Sequence, residues 1–297
     1  MALTITCGEY SPISIEDYVE FLDKNVDVRD FDSIIASAPQ LGALAADGDL
    51  VPRLLTRTIL DLINDRPLKT YTPQSFVIAK ARDFFVRGNV WTKPLQRGAL
   101  RTREEEVFSY RLAHDHNFHF ITVGYFGPGY ETEIYEVDPC KIDGYIGERV
   151  DLEMLERTSL PKGKIMAYRA HRDLHIQYPP TSLTISLNLM CLDGDSHTRD
   201  QYFFDVKNGA ITGFPENNML SRRASVVEIA ALAGNHETLS LIEEIAVHGC
   251  CRRTRIASLE ALCQRGREEA QDALRLLVDD SDCAVRRVAR VMLERSP

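Results

Sequence analysis

Residues Leu112–Asp138 read LAHDHNFHFITVGYFGPGYETEIYEVD. His114, His116 and His119 fall within six positions, ahead of a segment rich in β-branched and aromatic residues and a Gly-Pro-Gly turn. Side chains two apart on a strand point to one face, so His114 and His116 project together while Asp115 projects away. The turn at Gly127–Gly129 lacks the strand-to-helix setting of a phosphate-binding loop and reads as a hairpin. If the histidine face turns inward, two neutral imidazoles meet, and imidazole suits iron(II), zinc, copper and nickel alike. A third ligand has to come from elsewhere. His119 has the wrong parity unless a bulge intervenes, and His171 and His175 in YRAHRDLHIQYPP are the downstream choices.

Outward from this stretch, the texture from Tyr71 to about Ile211 is one of short β-rich segments: QSFVIAKA, FFVRGNVW, VFSYRLA, FHFITVGYF, ETEIYEVD, KIMAYRA, LTISLNLM and YFFDVKNGAI. Gly, Pro and Asp punctuate them, which predicts an antiparallel barrel or jelly roll. VDLEMLERTSL reads as a helical turn inserted between strands. Residues Ser14 to about Asp65 read as helical, with Ser14 as a cap, Glu16 and Asp17 in a first turn, and Leu54, Ile59, Leu60 and Ile63 near the helical period. Pro67 closes that segment. From Leu220 onward the chain repeats: Arg223, Arg255 and Arg287 recur every 32 residues, as do Val227, Leu259 and Val291. Such a period predicts stacked helix pairs, here over roughly Ser221–Ala233, His236–His248, Cys251–Gln264, Arg267–Val278 and Asp282–Arg295. The expected division is a helical segment over 1–70, a barrel over 71–216 and helical repeats over 217–297. His197 reads as a loop residue, and His236 and His248 as structural.

The bulk composition narrows the function. The 297 residues are 44% hydrophobic and 27% charged, with a net charge of −9, against the basic surface a nucleic-acid binder carries. No apolar run reaches the ~18–20 residues of a membrane span. The start, MALTITCGEYSPISIEDYVEF, has no secretory pattern, and the seven cysteines are scattered as reduced thiols would be. A cytoplasmic location is expected, with neither nucleic acid nor membrane as partner.

The HDH pair, the following His119, the apolar strand, Gly129 and Glu133 resemble the first motif of the cupins. Within them they look most like the three-His thiol dioxygenases, such as cysteine dioxygenase. HIQYPPTSLTISLNLM is similar to the later stretch of that family, with His175 as third ligand and Ser186 on the next inward strand. FFVRGNVW is similar to the early strand that carries a carboxylate-binding arginine, here Arg87. The resemblance spans roughly Gln74–Met190 and implies an α+β chain around a central antiparallel cupin barrel. It departs from the family in several places. Phe120 and Ile121 stand where most cupins add a glutamate ligand. Phe120 and Met190 lie near the positions of a cysteine–tyrosine crosslink, and Asn188 falls where the family has a histidine.

The implied site has His114, His116 and His175 on the metal, iron(II) first, with Zn, Mn, Ni or Cu as other choices. Arg87, Tyr125 and Asn188 would face the substrate, and Tyr110 and Tyr135 are further candidates for polar contacts there. Asp115, His119, Glu133 and Asp173 would orient the ligands. The implied activity is an oxygenase using O2 on a small amino-acid-like or thiol-bearing substrate. The alternatives are a non-enzymatic cupin sensing a ligand or metal, and an isomerase or hydrolase with another divalent ion. The VRRVAR end resembles HEAT-like repeats, implying a protein partner or self-association through 217–297.

Overall fold

The computed structural model describes residues 3–5, 8–66, 72, 74–94, 97–192, 196, 198–215 and 219–294. The chain divides into two compact units, Met1–Pro139 with Asp151–Asp193 and Cys140–Val150 with Gly194–Pro297. Pro67, His197 and the expected 70/71 and 216/217 boundaries involve positions outside the described residues.

In the first unit the strands are β1 (Leu3–Ile5), β2 (Ser75–Lys80), β3 (Phe84–Trp91), β4 (Ala113–His114), β5 (His119–Phe126), β6 (Glu131–Glu136), β7 (Glu153–Ser159), β8 (Ile165–Tyr168), β9 (Asp173–Gln177) and β10 (Thr184–Cys191). One sheet has the order β1-β8-β5-β10-β3-β2, and the other contains β4-β9-β6-β7. From β3 to β10, strands fall into the two sheets in the order of two interleaved Greek keys, which is a jelly roll. The architecture is thus α+β with two antiparallel sheets.

Helices α1 (Ile15–Asn25), α2 (Phe31–Ala36), α3 (Ala38–Ala46) and α4 (Leu50–Ile63) precede the strands. Ser14 caps α1 by accepting from the Asp17 N–H at 3.0 Å, which satisfies a donor the helix leaves open. These helices do not form a core of their own. Tyr18, Leu22, Ile34, Leu41 and Leu44 share one apolar cluster with Val86, Ile121, Val123, Leu187 and Leu189 of the strands. A second cluster, with Trp91, Phe120, Tyr130, Ile134, Met166, Tyr168 and Met190, fills the space on the other side of that sheet. Every residue of β10 is buried, because both of its faces are covered.

Two segments differ from expectation. VDLEMLERTSL is not a helical turn: it supplies β7, paired with β6 from Glu131↔Ser159 to Glu136↔Glu153. VFSYRLA is not a strand. Helix α5 (Ala99–Val107) runs into it, and Ser109 and Arg111 then take φ of 54° and 58°, leaving only the two-residue β4. The turn between β5 and β6 is a glycine turn as expected. Gly127 and Gly129 have φ of 84° and 90°, and a Cβ on Gly129 would lie 2.4 Å from the Leu160 carbonyl oxygen.

The second unit carries the hairpin β11 (Phe203–Asp205) and β12 (Ala210–Gly213), followed by α6 (Met219–Ala233), α7 (His236–His248), α8 (Arg252–Arg265), α9 (Arg267–Leu277) and α10 (Cys283–Glu294). Val227, Ile242, Leu259, Leu274, Leu277 and Val285 make its core. The repeating residues do not all repeat their roles. Val227 and Leu259 are buried, but Val291 is 37% exposed. Arg255 pairs with Asp280 at 2.5 Å, whereas Arg287 lies 4.0 Å over the Tyr145 ring. Among the described residues no helix is long and apolar enough to cross a membrane.

Candidate metal centre

The pairing of β4 with β9 sets His114 directly opposite His175. His116 lies just beyond the end of β4, and the backbone N–H of His171 holds it in place by donating to the His116 carbonyl at 2.7 Å. His171 takes φ 59° in that turn. The rings converge: His175 Nε2 lies 3.1 Å from His114 Nε2 and 3.2 Å from His116 Nε2. His114, His116 and His175 form a group whose ligand atoms all lie within 4.8 Å of one another.

This geometry fits a metal ion. Imidazole–metal bonds of about 2.0–2.1 Å bring adjacent nitrogens to ~2.9–3.4 Å for angles between octahedral and tetrahedral, and the two measured separations fall inside that range. His114 Nδ1–H donates to the Leu112 carbonyl at 2.9 Å, which directs the Nε2 lone pair into the centre. Protonation is disfavoured for all three rings. Burial is the first cause in each case; the like charge of neighbouring rings adds to it for His116 and His175, and Arg87 adds to it for His114 and His116. Neutral imidazole is the ligating form. Around the triad the walls are aromatic: the Phe120 ring lies 4.9 Å from His116 and is stacked 4.5 Å from Tyr168.

The three rings open onto a cavity of about 120 Å³ that also holds Arg87, Asn89, Asn188, Tyr130 and Gln177. Arg87 Nε is buried with no hydrogen-bond partner. Burial pulls its guanidinium down to about 10, with Tyr130 opposing the shift. A buried charge without a counter-charge is costly. Burial likewise pushes the Tyr130 hydroxyl up to about 12, keeping it a neutral donor.

Other residues singled out from the sequence lie elsewhere. Tyr125 is not in the cavity. Strand parity sends it to the opposite face from Phe120, where its hydroxyl donates toward the Asp47 and Gly48 carbonyls at 3.0 and 2.9 Å. Tyr110 donates to the Thr92 carbonyl at 2.9 Å, and Tyr135 donates to Glu133 at 3.0 Å. Glu133 is engaged by Arg157 at 3.3 Å and does not reach the rings. Asp173 is buried but held by Arg169 at 2.6 Å. His119 Nδ1 accepts from the Ala170 N–H at 3.0 Å, so it stays out of the triad. Asp115 is buried beside the pair and is not one of the converging groups. Asn89, Trp91, Tyr130 and Gln177 were not read from the sequence. Asn89 sits two residues after Arg87 and Gln177 two after His175, so the period of two would have found both.

No protein-family model matches the chain, and no curated protein matches it. Solved structures that resemble it include a DMSP lyase, at 12% identity and a TM-score of 0.26 over 44% of this chain and 52% of that one. A salicylate 1,2-dioxygenase from Pseudoaminobacter salicylatoxidans matches at 12% and 0.26, over 48% of this chain and 31% of that one. A cupin superfamily protein from Desulfitobacterium hafniense matches at 9% and 0.24, over 44% and 88%. The chain thus spans about half of the lyase chain and about a third of the dioxygenase chain. Likenesses of this size carry no argument about chemistry, which rests on the triad and its cavity.

Proposed function

We propose that the chain is a cupin-type metal enzyme whose His114, His116 and His175 hold iron(II), and that it oxygenates a small carboxylate anchored by Arg87. The observation that supports this most is the juxtaposition of three convergent ring nitrogens with an unpaired buried guanidinium in one small cavity. Iron(II) bound there would supply the one-electron chemistry that O2 requires. The chain's own residues do the rest. Arg87 binds and orients the anion, Tyr130 offers a neutral hydroxyl, and Phe120, Tyr168 and Met190 exclude water. Met190 and Phe120 are paired across β10 and β5, so an apolar wall stands where the resembling family places its crosslink.

The lining also bears on the alternatives. Isomerisation needs a general base within reach of the substrate, and among the described lining residues there is no carboxylate and no lysine. Hydrolysis by a metal-held water needs no such base and is separated by experiment. A sensor without turnover uses the same groups and is separated by experiment. Metal analysis and O2 uptake are to be measured with short carboxylates carrying a thiol, a hydroxyl or an amine. Uptake that requires iron and is lost in Arg87→Gln is the expected result. Bound metal with no uptake for any acid contradicts turnover and favours the sensor. The HEAT-like reading of the second unit, as a surface for a protein partner or a second copy, is tested by the mass of the full-length protein in solution and by its pull-down partners.

A further inference from the structure

Four residues that line the cavity carry a buried polar atom with no hydrogen-bond partner: Arg87 Nε, Asn89 Oδ1, Asn188 Nδ2 and, on a ring of the triad, His175 Nδ1. Asn89 is 6% exposed and Asn188 4%. The strand register explains why they face one space. Arg87 and Asn89 are two apart on β3, and β10 sets Asn188 opposite Arg87 and Ser186 opposite Asn89. These four residues of β3 and β10 share the inner face, and diagonal neighbours on such a face lie roughly 7–8 Å apart. Ser186 is already used, because its hydroxyl accepts from Trp91 Nε1 at 3.1 Å. The two asparagines are left pointing unmatched polarity at the same cavity, and leaving buried polar groups unpaired is unfavourable.

Resting on the proposed reading of the site, we infer that Asn89 and Asn188 act with Arg87 to select a short carboxylate bearing a neutral second polar group, a hydroxyl or a carboxamide, over the amino acid of equal size. The carboxylate answers Arg87. A hydroxyl or carboxamide both donates and accepts, so one such group serves Asn89 Oδ1 and Asn188 Nδ2 together. Turning both amides by 180° exchanges the roles and leaves the same requirement. An ammonium fits poorly. It cannot accept from Asn188, it shares the cavity with the Arg87 charge, and no acidic residue among the described lining residues would balance it. The expectation of an amino-acid-like substrate narrows accordingly to an amine-free acid.

The test uses L-lactate and L-alanine as matched probes, titrated calorimetrically at pH 7 into metal-free and, without oxygen, iron(II)-loaded full-length protein. Lactate is expected to bind about tenfold more tightly than alanine in both forms, the ratio one well-made hydrogen bond supports. Asn89→Leu and Asn188→Leu should each reduce that preference several-fold while metal content and the thermal unfolding profile persist; Arg87→Gln should lose both acids. Equal or tighter binding of alanine, no binding of either acid, or an unchanged ratio in both asparagine variants overturns the inference. Metal content measured on the same samples separates the two claims. Full metal without a lactate preference sinks only the selectivity, and a lactate preference in protein that takes up no iron when loaded sinks only the metal centre.

Discussion

On the outer face of the sheet β8-β5-β10-β3, Val86, Leu187, Leu189, Ile121 and Val123 pack against the N-terminal helices. On its inner face, one residue out of step along the same strands, stand Arg87, Asn89, Asn188 and Thr122, all buried in whole or part and several with unmatched polar atoms. The outer parity carries apolar burial, which stabilises by about 25 cal/mol per Å². The inner parity mixes such burial, at Trp91, Phe120 and Met190, with unmatched polar groups that destabilise the fold as it stands. The polar groups of the candidate site are therefore confined to one parity of each strand, while the other parity is apolar throughout the residues named.

The comparison breaks first at Leu187, which is fully buried on the outer face. Leu187→Ala is expected to cost ~2–5 kcal/mol in urea unfolding, while the folded fraction keeps its metal. A loss under ~1 kcal/mol would mean that this face is not the stabilising one. The inner face gives the opposite sign. Arg87→Met should raise the stability of the metal-free protein by ~1–4 kcal/mol, since a buried unpaired charge is replaced by a side chain of similar volume. Anion binding should vanish in the same variant. A destabilised Arg87→Met would show that the guanidinium has a structural partner.

A smaller effect concerns pH. His116 and His175 titrate well below the ordinary 6.5, chiefly through burial. Between the lowered folded values and 6.5, the unfolded chain binds protons that the folded chain does not, so stability rises with pH through that window. Metal-free wild type should lose stability as the pH drops below 6.5, and His116→Phe should show a shallower slope. Parallel slopes would contradict the buried, neutral state of the ring.

The period of two made the histidine pair readable in the sequence. It aligned His114 with His116, and the resemblance added His175, Arg87 and Asn188. Applied from Phe120 along β5, the same parity excludes Tyr125, and applied from Arg87 and His175 it reaches Asn89 and Gln177. Other features depended on contacts that no local pattern carries. Glu133 and Asp173 were plausible outer groups until Arg157 and Arg169 engaged them. The positive φ of Ser109 and Arg111 converted the strand-like composition of VFSYRLA into a helix end and a turn. Tyr130 was hidden in a glycine turn and read only as part of its geometry. In the second unit the 32-residue step located the helices, but Val291 shows that equal spacing does not give equal burial at the end of an array.

The central claim is that His114, His116 and His175 together hold one metal ion. The most direct measurement is the metal content, by elemental analysis, of wild-type protein and of His114→Ala, His116→Ala and His175→Ala, with circular dichroism confirming that each variant is folded. About one equivalent of a single transition metal in wild type, and near none in each variant, is what convergent ring nitrogens require. Folded variants that retain the wild-type metal content would contradict it.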